Sequence, residues 1–195
     1  MVGKGIVVVL VAAVLAVGWT KHEERIRAQD RLAVVASTIV GHRVGVRCPN
    51  IFKKLVNVSG EAGTVKFDAQ GGPAGYTDLA PETCDALSNV GSVDLSCLDT
   101  WTCGDKQWRL GWALHTLAHE SFHMRGVRSE SQTECYAMQT TARVAVSLGI
   151  PAGRAAQLER WVWSKGYPNE PDEYLTTVCH NGGPLDLHPG SAVWP

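Results

Sequence analysis

The chain has 195 residues, with 18 basic and 19 acidic side chains and a formal net charge of −1. That length fits one domain with a core of real size. The even charge balance, without a basic block, excludes a nucleic-acid-binding surface, which needs clustered Lys and Arg on one face.

The N-terminus differs from the rest. Lys4 precedes an uncharged apolar run from Gly5 to Trp19. It is short for a membrane helix, which needs about 17–25 residues, but becomes long enough if Met1–Gly3 and the lysine stem reach the interface. A cleaved signal peptide is the competing reading, although no good A-x-A site precedes Thr20. The expectation is a membrane anchor over 1–20, a helical stalk over 21–42 and an extracytoplasmic domain over 43–195. Lys21, Arg25 and Arg27 flank the run on the side taken as outside, so the charges do not fix orientation.

From Gly41 to Leu79 the pattern is β-like. "LVNVSGEAGTVKFD" sets two β-branched runs around Ser59–Gly63, a hairpin signature, and a Gly-rich turn leads to a third strand near Tyr76–Leu79. "APETCDALSNVG" carries Pro81 early and Gly91 late, the asymmetry of a short helix. A helix of about 20 residues is predicted over 106–126, stopped by Gly126. Ser129 caps the next, with Gln132 completing a capping box, and that helix runs to about Gly149. Pro151 opens another that ends at Gly166, and a short final helix begins in "PNEPDEYLTTVC". The expected class is α+β and helix-rich, a small antiparallel sheet before a helical body.

Cys48, Cys84, Cys97, Cys103, Cys135 and Cys179 make an even six after the apolar run, with no C-x-x-C pair. That count reads as three disulfides in an oxidising compartment rather than a zinc ribbon. Six cysteines allow 15 pairings, among which sequence does not choose. The working expectation is Cys97–Cys103, Cys48–Cys84 and Cys135–Cys179.

The chemistry concentrates in "HTLAHESFHMRGVRSESQTECYAM". His119-Glu120-Ser121-Phe122-His123 is an H-E-x-x-H. On a helix, residues four apart share a face, so both imidazoles reach one Zn²⁺ at about 2.0–2.1 Å. Glu120, about 100° around the helix, stands beside the metal as a general base for a metal-activated water. Catalytic zinc takes three protein ligands, and Glu130 and Glu134 are the candidates for the third. If the chain turns sharply at Gly126, the next helix folds back with these acids toward the histidines. Glu130 is chosen as ligand and Glu134 as the acceptor that holds a ligand imidazole in its tautomer. The reverse assignment, or two solvated acids at a helix N-terminus, stays open.

These residues resemble the zincin metallopeptidases, and Glu130-x-x-x-Glu134 is similar to the E-x-x-x-D of the gluzincin branch. The resemblance implies a zincin-like core, Glu130 as third ligand and Glu134 as support for a histidine. The gap from His123 to Glu130 is shorter than in thermolysin-like enzymes, and Glu134 replaces the usual Asp. The metzincin pattern fits through Gly126, but Ser129 stands where its third histidine belongs. The chain also resembles small membrane-anchored H-E-x-x-H proteins of actinobacteria.

His115, one turn before His119, reads as an ordinary satisfied helix histidine rather than an outer partner of the site. His180, His188, Tyr136, Tyr167 and Tyr174 are eligible by type to stabilise an oxyanion, and sequence picks none of them. The seven tryptophans read as core and interface anchors. The zincin resemblance implies that a strand within Thr64–Leu79 binds extended substrate backbone by strand addition. The functional expectation is a membrane-anchored, extracytoplasmic zinc metallopeptidase with a peptide or protein substrate. The alternative is a metal-binding envelope protein without turnover.

Overall fold

The computed structural model describes residues 2–49 and 61–195, without the side chains of residues 2–17 and of Lys21. Helix α1 spans Val2–Val40. Its C-terminal part buries Leu32, Val35, Ala36, Ile39 and Val40, one apolar stripe at helical spacing. The last turns of the segment read as a stalk are thus built into the core of the body. Gly41, at φ +90°, ends the helix. Among the described residues no helix is long and apolar enough to cross a membrane. The side chains of the Gly5–Trp19 run up to residue 17 lie outside the description, and the anchor expectation lies there with them.

Three short strands follow, β1 (Gly45–Arg47), β2 (Gly63–Thr64) and β3 (Tyr76–Leu79), in the order β1-β3-β2. The sheet is mixed rather than antiparallel. β1 runs parallel to β3 (Gly45↔Tyr76, Arg47↔Asp78), while β2 pairs antiparallel with it (Gly63↔Leu79, Thr64↔Asp78). The Cys48–Cys84 disulfide lies at one end of the parallel pair. It ties the C-terminal end of β1 to helix α2 (Pro81–Ser88), which starts where β3 finishes, so the two strands end together. The first arm of the expected hairpin lies outside the described residues. Between β2 and β3 the chain turns over Asp68–Gly72, where Asp68 Oδ1 accepts from the backbone N–H of Gln70 (3.0 Å) and Gly72 (2.7 Å).

Helix α3 (Asp105–Met124) is the centre of the molecule. Leu110, Leu114, Leu117 and Ala118 are fully buried, and His115, His119, Glu120 and His123 are buried with them. α3 stops as expected. Gly126 sits at φ +104° and donates to His123 O (2.9 Å), and Val127 N–H donates to Phe122 O (3.0 Å), the two bonds of a Schellman ending. The chain reverses into α4 (Glu130–Met138), with Ser129 Oγ accepting from Gln132 N–H. Gln132 turns its amide NH2 to Tyr136 Oη (3.0 Å), so only the Ser129 half of the expected capping box is observed.

The single helix expected as far as Gly149 is instead two, α4 and α5 (Thr141–Ser147). At the break, the buried carboxylate of Glu159 accepts from Ala142 N–H (2.7 Å), and the Thr140 and Thr141 hydroxyls donate to carbonyls one turn back. α6 (Ala152–Lys165) follows and ends at Gly166. The short final helix is replaced by isolated 3₁₀ turns at Tyr167–Asn169 and Asp172–Tyr174. Pro168 and Pro171 bring no N–H to a longer helix, and Tyr167 Oη instead bridges Thr176 N–H (3.1 Å) and Thr176 O (3.2 Å). All three disulfides pair as expected, and no free cysteine remains.

Candidate metal centre

The H-E-x-x-H lies in the last two turns of α3, and the Schellman turn folds α4 back beside it. This brings three atoms together. His119 Nε2 and His123 Nε2 are 3.0 Å apart, and Glu130 Oε2 lies 3.0 and 3.1 Å from them. Atoms spaced that way share points about 2.0–2.1 Å from all three, the ligand distance of a four-coordinate divalent metal ion.

The outer hydrogen bonds decide what those three atoms present. His119 Nδ1 is 2.9 Å from Glu134 Oε2, an acceptor, and His123 Nδ1 is 2.8 Å from the Val127 carbonyl, another acceptor. Both rings therefore carry their proton on Nδ1 and turn a bare Nε2 lone pair inward. Two lone pairs and a carboxylate oxygen then face one another, which is repulsive unless a cation or an added proton lies among them. The donor set thus fits a metal ion. His119 shows the same demand for positive charge: burial opposes it, but hydrogen bonds to Glu130 and Glu134 and the charges of Glu134 and Glu120 raise its pKa to about 9. The hydrogen bond from His119 lowers the pKa of Glu130 against its partial burial.

Glu134 is 1% exposed. Burial works against its charge, yet the charge of His115 and the hydrogen bonds from His115 and His119 hold its pKa at about 2. His115 Nε2 lies 2.9 Å from the same oxygen that receives His119. The residue read as an ordinary helix histidine is therefore an outer partner of the cluster. His115, His119 and Glu134 form a second convergent group, which shares His119 with the first but meets it through Nδ1 rather than Nε2.

Glu120 sits beside the cluster, 5% exposed, with Oε2 unpartnered among the described residues. Burial raises its pKa to about 7; the His119 charge opposes this, while Glu130 and Glu61 add to it. Its side chain lies against Gly63 of β2, where a Cβ would stand 2.8 Å from Glu120 Cγ. β2 is a sheet edge, and it falls within the reach of the strand expected beside the cleft only at Thr64.

Of the aromatic and histidine candidates, Tyr174 faces the cluster. Its ring lies 5.9 Å from that of His119, and its pKa is pushed up to about 12 by burial and by Glu130, Glu173, Glu134 and Glu170. Tyr136 packs on Phe122, Tyr167 is spent on Thr176, and the His180 and His188 side chains are exposed in the tail. Sequence reasoning also missed Phe67, whose ring meets that of His123 edge-on at 6.0 Å. No local signal marks Gly63, Phe67 or Tyr174, which are each far from the motif along the chain. Comparison with protein families, with curated proteins and with solved structures gave no match.

Proposed function

We propose that this chain is a zinc-dependent metallopeptidase, membrane-anchored and extracytoplasmic, with His119, His123 and Glu130 as zinc ligands and Glu120 as general base. The observation that carries the reading is the inward-facing, tautomer-locked pair of imidazoles closed by Glu130, with an unpartnered carboxylate oxygen of Glu120 buried alongside. Zinc at such a site supplies Lewis acidity, which makes water nucleophilic near neutral pH and polarises a carbonyl.

The remaining steps fall to this chain's side chains. Glu120 takes a proton as water adds to the peptide carbon, and it delivers that proton to the nitrogen as the C–N bond breaks. Glu134 and the Val127 carbonyl hold the two imidazoles in one tautomer throughout. Tyr174 is the phenol near the cluster that is suited to donate a hydrogen bond to the carbonyl oxygen as charge grows there. The three disulfides support an oxidising compartment, and the Gly5–Trp19 run supports an anchor.

The test uses the full chain with its disulfides intact. About one zinc per chain is expected in the wild type and in Glu120→Gln, and none in a folded His123→Ala. Peptide hydrolysis is expected in the wild type alone. Zinc binding with equal hydrolysis by wild type and Glu120→Gln would remove the catalytic assignment, and a folded wild type without zinc would remove the metal centre.

A further inference from the structure

A cavity of about 400 Å³ opens beside β2, separate from the metal cluster. Trp108 and Trp112 of α3 line it, with indoles stacked at 5.2 Å and 20°. They are held from behind. Trp161 packs edge-on against Trp108 at 5.8 Å, and a Cβ at Gly166 would stand 2.7 Å from Trp112 Cζ3. The indole pair is therefore fixed in place whether or not the cavity is filled.

Glu61 and Glu82 supply carboxylates to the same walls, and among the described residues neither side chain has a hydrogen-bonding or ionic partner. Arg109 lines the cavity too, but on the turn of α3 farther from the cluster. The near end adjoins the proposed chemistry. Glu61 lies two residues before Gly63, the residue against Glu120, and the Trp112 ring is 4.8 Å from that of His115. Along α3, Trp112 precedes His119 by seven residues, about 10 Å of helix rise. An extended peptide covers that distance in about three residues.

We infer that this cavity is a specificity subsite that takes a cationic side chain, arginine or lysine, of a peptide substrate, about three residues from the bond that is cut. The inference rests on the metallopeptidase reading for the cut, but not for the binding. A flat or aliphatic cation gains from indole faces and from unpaired carboxylates together. An acidic residue would meet two carboxylates there, and a purely apolar one would gain from the indoles but from neither of the two exposed carboxylates. Glu61 lies two residues before Gly63, which packs on Glu120, while Arg109 precedes Trp112 on α3 and lies farther from the cluster, so the part of the cavity nearest the cut carries negative charge.

The experiment measures binding first. Zinc-loaded full-length Glu120→Gln is titrated by calorimetry with nonapeptides that differ only at one position, Arg, Lys, Leu, Phe or Glu. The Arg and Lys peptides are expected to bind about tenfold tighter than the others. That advantage should fall to within about threefold in a chain also carrying Glu61→Gln and Glu82→Gln, with zinc content unchanged. Equal or tighter binding of the Leu, Phe or Glu peptide overturns the subsite, as does an advantage that survives the double substitution or no binding by any peptide. The wild type is then given the same peptides. Cleavage without charge preference would sink the subsite and leave the peptidase reading intact. Charge-selective binding without cleavage by wild type would uphold the subsite and sink the peptidase reading.

Discussion

Replacing Glu134 by Gln tests whether an outer hydrogen bond, rather than a ligand, sets metal affinity. The substitution preserves shape and leaves an oxygen able to accept from both His119 Nδ1 and His115 Nε2, each at 2.9 Å. What it removes is charge. Hydrogen bonds to an ionised acceptor are about twice as strong as neutral ones, so about 1 kcal/mol is lost at each contact. Outer partners of ligand histidines typically govern about 10–100-fold in metal affinity, and zinc binding is expected to weaken by that factor while the stoichiometry holds at about one. The other carboxylate oxygen, Oε1, is buried without a partner among the described residues. The amide nitrogen of Gln would occupy that position with no acceptor, at a cost of roughly 1–3 kcal/mol in stability. For a chain of this length that lowers the Tm by a few degrees. Competition against a chromophoric chelator measures the affinity, and thermal unfolding of the metal-free chain measures the stability. Glu130→Gln, the control, is expected to lose zinc outright. Wild-type affinity in Glu134→Gln would refute the argument from tautomer control, and loss of zinc only in the Glu134 variant would exchange the roles of the two acids.

Gly63→Ala puts a methyl group where Glu120 Cγ leaves 2.8 Å, forcing the carboxylate aside by a fraction of an ångström or more. Hydrolysis should fall by about 10²-fold with zinc content unchanged, since misplacement of a catalytic group by about 1 Å costs that much; unaltered kcat/KM would disprove the contact's role. Glu159 gives a pH test away from the metal: burial raises its pKa from 4.5 to about 7, with the Ala142 N–H bond and Arg160 opposing. Between those values the unfolded chain has released a proton that the native state keeps, so this group's contribution to stability falls as pH rises through that window. Glu159→Gln retains an acceptor for Ala142 N–H without the charge, and it should gain on the wild type by an amount on the order of 3 kcal/mol between pH 4.5 and 8. Denaturation midpoints that run parallel across that range would show that Glu159 folds in its charged form.

What the sequence disclosed and what it withheld follow from the range of the interactions involved. The H-E-x-x-H, the Gly126 stop and the Ser129 cap are each set within a few residues, and together they predict α3, the reversal and the approach of Glu130 to the histidines. The break between α4 and α5 is invisible locally, because the carboxylate that captures Ala142 N–H belongs to Glu159, 17 residues away on α6. The parallel pairing of β1 and β3 is likewise hidden from strand patterns, since its partners Gly45–Arg47 and Tyr76–Leu79 lie far apart along the chain. Of the tryptophans read as anchors, Trp161 is buried and packs on Trp108 while Trp19 and Trp101 are exposed, and only tertiary structure reveals that Trp108 and Trp112 form a cavity wall.

The Cys135–Cys179 bridge connects these two kinds of information. Cys135 is the residue after Glu134 on α4, and Cys179 lies five residues beyond Tyr174. The disulfide thus fastens the segment carrying the phenol to the helix carrying both acids. Tail residues are tied to the same helix end, where Gln139 donates to Leu185 O (2.9 Å) and accepts from Leu187 N–H (2.7 Å). The segment that carries Tyr174 has only two isolated 3₁₀ turns of its own, so its position 5.9 Å from the His119 ring depends on ties to the rest of the fold. The cysteine pairing therefore does more than stabilise a small fold. It converts Tyr174 from a residue eligible by type into one held at the cluster.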